Sequence, residues 1–261
     1  MTILEQIVAD KRLEVAARKQ AVPIEHLRKH CAVLNPGRSL RQALKESETG
    51  IISEFKRKSP SKGYIHPGAQ VASVVQAYQE AGCSGVSVLT DYEYFGGTIS
   101  DLKEARAVLN CPVLRKDFMI DPYQIYESKI LGADVILLIA ASLTLDEAYD
   151  LGELAHELGM EVLLEVHSEE ELEYISRFTD IVGVNNRNLK VFKTDVQISF
   201  DLASKIPSNM VRISESGLND PATVCALRKA GYQGFLMGEA FMKNDMPGAA
   251  LASFIKEMSA L

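Results

Sequence analysis

Residues 132–166 read GADVILLIAASLTLDEAYDLGELAHELGMEVLLEV, and this stretch decides the fold. Two short apolar runs, 135–139 and 161–166, flank a segment, 145–158, whose apolar residues recur at helical spacing. Strands that are apolar at successive positions are covered on both faces, and two of them lie parallel only when joined by a crossover of a dozen residues or more. The stretch is therefore a β-α-β unit. The same alternation extends outward in both directions. Strand-like runs occupy 51–55, 85–89 and 113–116 before it, and 181–185, 211–215 and 234–237 after it, with a second clear amphipathic segment at 221–229.

Eight such units predict closure into a single (β/α)8 TIM barrel. The rival is an open doubly wound sheet, but no G-x-G-x-x-G follows the first strand to form a dinucleotide crevice. The sequence reads as one domain over residues 1–261, with residues 1–48 as a helical N-terminal extension packed on the barrel. In that extension Ile3, Leu4, Ile7, Val8 and Val15 approximate one face of a helix over 3–17. Pro23, Pro36 and Gly37 then punctuate a mixed region before a second helical stretch around 40–44.

With 261 residues, 47% of them hydrophobic and 24% charged, the chain can bury a large core. A formal net charge of −7 opposes association with nucleic acid, so any phosphate chemistry must rest on a local positive site. Asp10, Lys11, Arg12, Glu14, Arg18 and Lys19 interrupt the first twenty residues, which excludes a signal peptide there. The longest apolar run, 135–141, is far short of the roughly 20 residues that span a bilayer. Cys31, Cys83, Cys111 and Cys225 are scattered without a C-x-x-C pair, so free, mostly buried thiols and a cytoplasmic location are expected.

Chemistry collects at the carboxyl ends of the predicted strands, where barrel enzymes carry their catalytic groups. Glu54 and Lys56 follow the first strand, Lys116 the third and Glu165 the fifth; Asn185 and Arg187 follow the sixth, and Glu215 and Ser216 the seventh. Residues i and i+2 of a strand share a face, so Glu54 projects with Lys56, and Asn185 with Arg187. Burying so many ionisable groups at successive strand ends is costly unless they face one polar cavity. The basic stretch SEFKRKSPSKG (53–63) abuts a buried strand in an acidic chain, which favours a local anion site over a nucleic-acid patch.

Glycine-bearing turns at Ser216-Gly217 and Gly238-Glu239 offer backbone N–H groups for a phosphate. Asn219-Asp220-Pro221 reads as a helix cap. His26, His30, His66, His156 and His167 lack metal-ligand spacing, so no metal is expected and each reads as a surface or packing residue. Phe95, Phe118, Leu137 and Leu189 near strand ends read as core or rim residues that could line a pocket for an aromatic substrate.

The stretch SEFKRKSPS (53–61) resembles the signature of the indole-3-glycerol-phosphate synthase family. LRKDF (114–118), LEVH (164–167), GVNNRNL (183–189) and ISESG (213–217) reinforce it in order. The resemblance implies a cofactor-independent conversion of 1-(2-carboxyphenylamino)-1-deoxyribulose 5-phosphate into indole-3-glycerol phosphate, with loss of CO2 and water, in tryptophan biosynthesis. It implies that Lys116 is the general acid that protonates the substrate ketone, that Lys56 holds the substrate carboxylate and shares acid duty in dehydration, and that Glu165 acts in later proton transfers. Glu54, Asn185 and Glu215 would orient these groups. Ser59, Arg187, Ser216, Gly217, Gly238 and Glu239 would surround the phosphate, Glu239 through its backbone N–H alone, with its carboxylate turned away from the dianion. Pro60, Phe95, Phe118, Leu137 and Leu189 would enclose the aromatic ring.

Cation crowding by Lys56 and Arg187 is expected to lower the pKa of Lys116 toward neutrality. The implied partner is a small phosphorylated substrate, with no nucleic acid and no membrane. A monomer or weak homodimer is expected, open to docking with other tryptophan-pathway enzymes. Two rivals make different demands. A phosphoribosylanthranilate isomerase-like barrel needs a cysteine at the end of the first strand, where Glu54 and Lys56 stand. A binding module without catalysis would have no need of Lys116 or Glu165.

Overall fold

The computed structural model describes residues 2–31, 36–188 and 193–261. Strands β1 (Ile51–Phe55), β2 (Gly85–Leu89), β3 (Val113–Lys116), β4 (Val135–Ile139), β5 (Glu161–Val166), β6 (Ile181–Asn185), β7 (Val211–Glu215) and β8 (Gly234–Met237) form a closed barrel in sequence order. All pairings are parallel, and β1 closes the ring by pairing with β8 on one side (Ile52 with Leu236) and β2 on the other (Ile52 with Gly85). Every barrel strand coincides with a run expected from the sequence.

Strand parity divides the core in two. Ile51, Phe55, Val86, Val88, Ile136 and Leu138 point outward into the shell shared with the helices. Ile52, Leu114, Leu137, Leu163, Ile181, Ile213 and Leu236 form a separate cluster inside the ring. The alternation that puts Ile52, Leu114, Leu163 and Ile213 inside also puts Glu54, Lys116, Glu165 and Glu215 inside, two residues further on. An apolar floor and a charged ceiling follow from one periodicity.

Two crossovers depart from the simple alternation. The first carries a small antiparallel hairpin, Lys58–Ser59 with Gly63–Tyr64, ahead of its helix Val71–Glu80. The fifth has only a 3-10 turn, Glu170–Tyr174, between β5 and β6. There Glu169, Glu170, Glu171 and Glu173 crowd like charges into one turn, which disfavours a regular helix. Glu171 instead accepts the backbone N–H of His167 at 2.7 Å.

Before β1 come helices α1 (Ile3–Ala21), α2 (Ile24–Cys31) and α3 (Leu40–Glu46). α1 starts with a capping box between Thr2 and Glu5 and runs one turn beyond the expected 3–17. α3 plugs the amino-terminal mouth of the barrel. Its Leu40 and Leu44 join the interior cluster, and the backbone N–H of Arg41 donates to Glu161 at the start of β5 (2.9 Å). Glycine makes the room: a Cβ on Gly85 would lie 2.7 Å from Leu40 Cδ1, and one on Gly234 would lie 3.0 Å from Leu44 Cδ2.

Candidate active site

At the carboxyl ends of the strands lies a cavity of about 600 Å³. Its base is one layer of four side chains, Glu54, Lys116, Glu165 and Glu215, from β1, β3, β5 and β7, the alternate-strand arrangement that fills barrel interiors. Lys116 Nζ lies 3.0 Å from Glu215 Oε2, 3.5 Å from Glu54 Oε2 and 3.9 Å from Glu165 Oε2. Neighbouring positions are glycine where carboxylates need space. A Cβ on Gly183 of β6 would sit 2.3 Å from Glu215 Oε1, and one on Gly238 would sit 2.4 Å from Glu54 Oε1.

Three buried carboxylates around one ammonium overturn the expectation of a lysine with a lowered pKa. Burial alone would push the Lys116 ammonium down, but Glu215, Glu54 and Glu165 together hold it well above the ordinary lysine value. Arg187 is bonded to Ser61 on the rim, and Lys56 shares Glu54 with Lys116, its Nζ 2.5 Å from Glu54 Oε1. Burial raises the Glu54 carboxyl, yet Lys56 and Lys116 outweigh it and leave it below the usual range.

The other two carboxylates are driven apart. For Glu165, burial is outweighed by His167 and Lys116, with help from Asn185, and its pKa falls to about 2. For Glu215, burial and the neighbouring negative charges prevail over Lys116 and raise it to about 7. Its Oε1 has no hydrogen-bond partner. A firmly ionised carboxylate thus stands beside one that holds a proton part of the time near neutrality, the pattern that separates acid from base duties.

One arc of the rim, from β6 through β8 to β1, offers anion donors. Ser59, Arg187, Ser216, Gly217, Gly238 and Glu239 all line the cavity there, with Ser61, Lys62 and Lys243 beside them. Arg187 Nη1 donates to Ser61 Oγ at 3.0 Å, and the buried Ser59 hydroxyl has no partner. Ser216 is left-handed at φ 69°, the one non-glycine residue so placed among the described residues, and Gly217 follows at φ 74°. The Asn186 amide donates to Ser216 O at 3.0 Å and holds the turn. Both residues line the cavity, and successive backbone N–H groups at a turn are a recurrent form of anion site. The Glu239 carboxylate lies 3.7 Å from Lys62 Nζ, and Gly238 precedes the short helix Glu239–Met242, whose first N–H groups have no helical partner.

The opposite arc, β2 to β4, is apolar. Phe95 and Phe118 pack with ring centroids 6.3 Å apart, Leu137 and Ile139 continue the wall, and Pro60 lines the cavity from the hairpin after β1. Leu189 lies outside the described residues.

Of the residues singled out from the sequence, Glu54, Lys56, Lys116, Glu165, Asn185 and the six on the anion arc border the cavity, as do Pro60, Phe95, Phe118 and Leu137. Glu215 sits fully buried behind Lys116. Sequence reasoning missed three features. Ile3, Leu4 and Ile7 of α1 help line the cavity; their helical spacing signalled burial but not against what. His167, read as a surface or packing residue, has Nε2 3.3 Å from Glu165 Oε1 and Nδ1 3.3 Å from Glu171 Oε2. Burial lowers its pKa, but the two carboxylates raise it to about 10. The signal was its position two residues beyond Glu165. Asn219, read only as part of a cap, also lines the cavity, while the capping itself is done by Asp220, which accepts the N–H of Thr223 at 3.0 Å.

Comparison with known proteins adds a family. The sequence model of indole-3-glycerol phosphate synthase matches residues 4–254. A curated relative named indole-3-glycerol phosphate synthase from Bacteroides thetaiotaomicron is 51% identical over 254 residues, covering 97% of this chain and 98% of the relative. Another of that name, from Polynucleobacter asymbioticus, is 43% identical and covers 96% of this chain and 97% of its own length. Among solved structures, a mutant tryptophan synthase α-subunit from Pyrococcus furiosus superposes with a TM-score of 0.63 at 16% identity, over 82% of this chain and 98% of that one. That likeness concerns the barrel fold alone.

Proposed function

The chain belongs to the indole-3-glycerol phosphate synthase family, and from that membership we infer how its cavity closes an indole ring. The family's enzymes are carboxy-lyases of tryptophan biosynthesis acting on a phosphorylated small molecule. The observation that carries the residue assignment is the single layer in which Lys116 meets three carboxylates beneath the cavity.

The substrate, 1-(2-carboxyphenylamino)-1-deoxyribulose 5-phosphate, is anionic at both ends and must bend so that its aryl carbon meets its ketone. Anion donors on one arc and an apolar wall on the other support a pose with the phosphate near Ser59, Arg187, Ser216, Gly217 and Gly238, and the ring among Phe95, Phe118, Leu137 and Pro60. Holding both ends turns an improbable encounter into a near-attack geometry. Glu239 contributes its backbone N–H, its carboxylate being engaged toward Lys62.

In ring closure the aryl carbon bearing the carboxylate attacks the ketone carbon, and the ketone oxygen takes a proton from Lys116. A developing alkoxide is a stronger base than an amine, so a lysine held firmly protonated can still give up its proton. Glu215, 3.0 Å away and titrating near neutrality, is suited to resupply it. Loss of CO2 then returns the bonding electrons to the ring. Lys56 steadies the departing carboxylate, with Glu54 directing its ammonium. In the last step the new hydroxyl takes a proton from Lys56 and leaves as water, while Glu165, ionised and oriented by Asn185, takes a proton from the methylene carbon to complete the indole.

Residues 1–48 belong to the same folding unit as the barrel on this reading, a view supported by Leu40 and Leu44 in its interior cluster. A cytoplasmic location is supported by the four free cysteines, and no helix among the described residues is long and apolar enough to cross a membrane. The test is to add the substrate to purified protein and follow indole fluorescence. Turnover is expected; a silent sample would contradict the assignment.

A further inference from the structure

Lys11 occupies the face of α1 that otherwise buries Ile7 and Val15. An ammonium has three protons to donate, and here it meets three carboxylates: Glu14 Oε2 at 2.7 Å, Asp91 Oδ2 at 2.9 Å and Asp117 Oδ1 at 2.9 Å. From Asp117 the pairing continues. Arg115 Nη2 lies 3.2 Å from Asp117 and 2.8 Å from Glu127, Arg18 Nη1 lies 2.9 Å from Glu127, and Arg18 returns to Glu14. The result is a closed ring of ion pairs joining α1 to the end of β3.

The ring grips both neighbours of Lys116. Arg115 is fully buried, and all five of its N–H donors are engaged: Nε with Thr90, Nη1 with Gln124 O and Ser128 Oγ, and Nη2 with Asp117 and Glu127. Asp117 also accepts from Thr90 at 2.7 Å and from the backbone N–H of Phe118 at 2.9 Å. Arg115 points outward from the barrel wall, so by strand alternation Lys116 beside it points in, and Asp117 follows the strand end at the border of the cavity. Fixing 115 and 117 therefore fixes the direction in which Lys116 leaves the strand.

We propose that Lys11 is a positioning residue for Lys116: by closing this ring, which is buried at Lys11, Asp117 and Arg115, it couples the N-terminal helix to the strand end that aims the ammonium at the substrate. The proposal rests on the reading of Lys116 as proton donor. Stability alone explains the ring poorly, because a buried ion-pair network gains little over apolar packing of the same volume, whereas removing one member leaves its partners uncompensated. Without Lys11, Asp91 and Asp117 lose the cation between them, and the end of β3 must rearrange around the residue next to Lys116.

The test is a double-mutant cycle on the full chain with Lys11→Met and Lys116→Ala, measuring kcat, KM and Tm for each variant. Lys11→Met is expected to lower kcat by about 10- to 100-fold, with a smaller change in KM, as for misplacement of a reacting group. Lys11→Arg, which keeps the charge, should recover most of that loss. In the Lys116→Ala background the same substitution should cost less than about threefold, because its effect passes through the missing lysine. A lowered Tm with unchanged kcat, or an equal loss in both backgrounds, would overturn the proposal. A Lys116→Ala enzyme as active as the parent would instead overturn the assignment of Lys116, an outcome distinct from either. If Lys11→Met does not fold, Glu14→Gln on the more exposed side of the ring carries the same cycle. There a fall of about threefold is expected with Lys116 present and none without it, and additivity would overturn the idea.

Discussion

Glu215 shows how closely the site depends on single atoms. Its carboxylate lies over Gly183, where a Cβ would come within 2.3 Å of Oε1. Gly183→Ala must therefore displace the group hydrogen-bonded to Lys116, and kcat should fall about 10- to 100-fold while the protein still folds; unaltered kinetics would mean that Glu215 has no positional role. His167 supports a prediction of different sign. Burial lowers its pKa, yet Glu165 and Glu171 raise it from the ordinary 6.5 to about 10, so its stabilising contribution is complete below pH 6.5 and fades as pH rises through 10. The Tm difference between the parent and His167→Asn should be largest at pH 6 and close progressively toward pH 10. A difference independent of pH would show that the imidazole is not charged in the folded state.

At the scale of elements, the helix Pro221–Lys229 is capped by Asp220, which accepts from Ala222 N at 3.3 Å and Thr223 N at 3.0 Å. Asp220→Ala should cost about 1 kcal/mol in urea unfolding and leave kcat unchanged, since the cap does not touch the cavity floor. This cap was readable in the sequence, as were all eight strands, because a strand covered on both faces is an unbroken apolar run. The site was legible for the same reason: once strand ends are known, parity states which of Glu54, Lys116, Glu165 and Glu215 face inward. Crossovers were less legible. The run Glu169–Glu171 gave no element boundary, and the turn there became visible only through the bonds from His167 to Glu171. Lys11 was illegible because a lysine on an amphipathic helix ordinarily belongs to its solvated face; its burial depends on Asp91 and Asp117, 80 and 106 residues away in sequence.

Across the whole molecule, the N-terminal extension reaches both mouths of the barrel. α3 fills the floor with Leu40 and Leu44, and α1 brings Ile3, Leu4 and Ile7 to the cavity. The two functions should separate experimentally. Leu44→Ala empties space inside the ring and should cost about 2–5 kcal/mol of stability, read as a lower urea midpoint with KM unaffected. Removing residues 1–21 should leave the floor plugged but raise KM, because the apolar wall loses one side, and should also lower kcat because Lys11 goes with the helix; an unaltered KM would contradict a role for α1 in the cavity. On the proposed reading, catalysis depends on residues from four alternate strands meeting in one layer, with Lys116 as proton donor at its centre. The most direct test of that account is the rate at which Lys116→Ala forms indole-3-glycerol phosphate, followed by indole fluorescence at saturating substrate. The account predicts a folded protein whose kcat is lower by about 10²- to 10⁴-fold, and a kcat equal to that of the parent would contradict it.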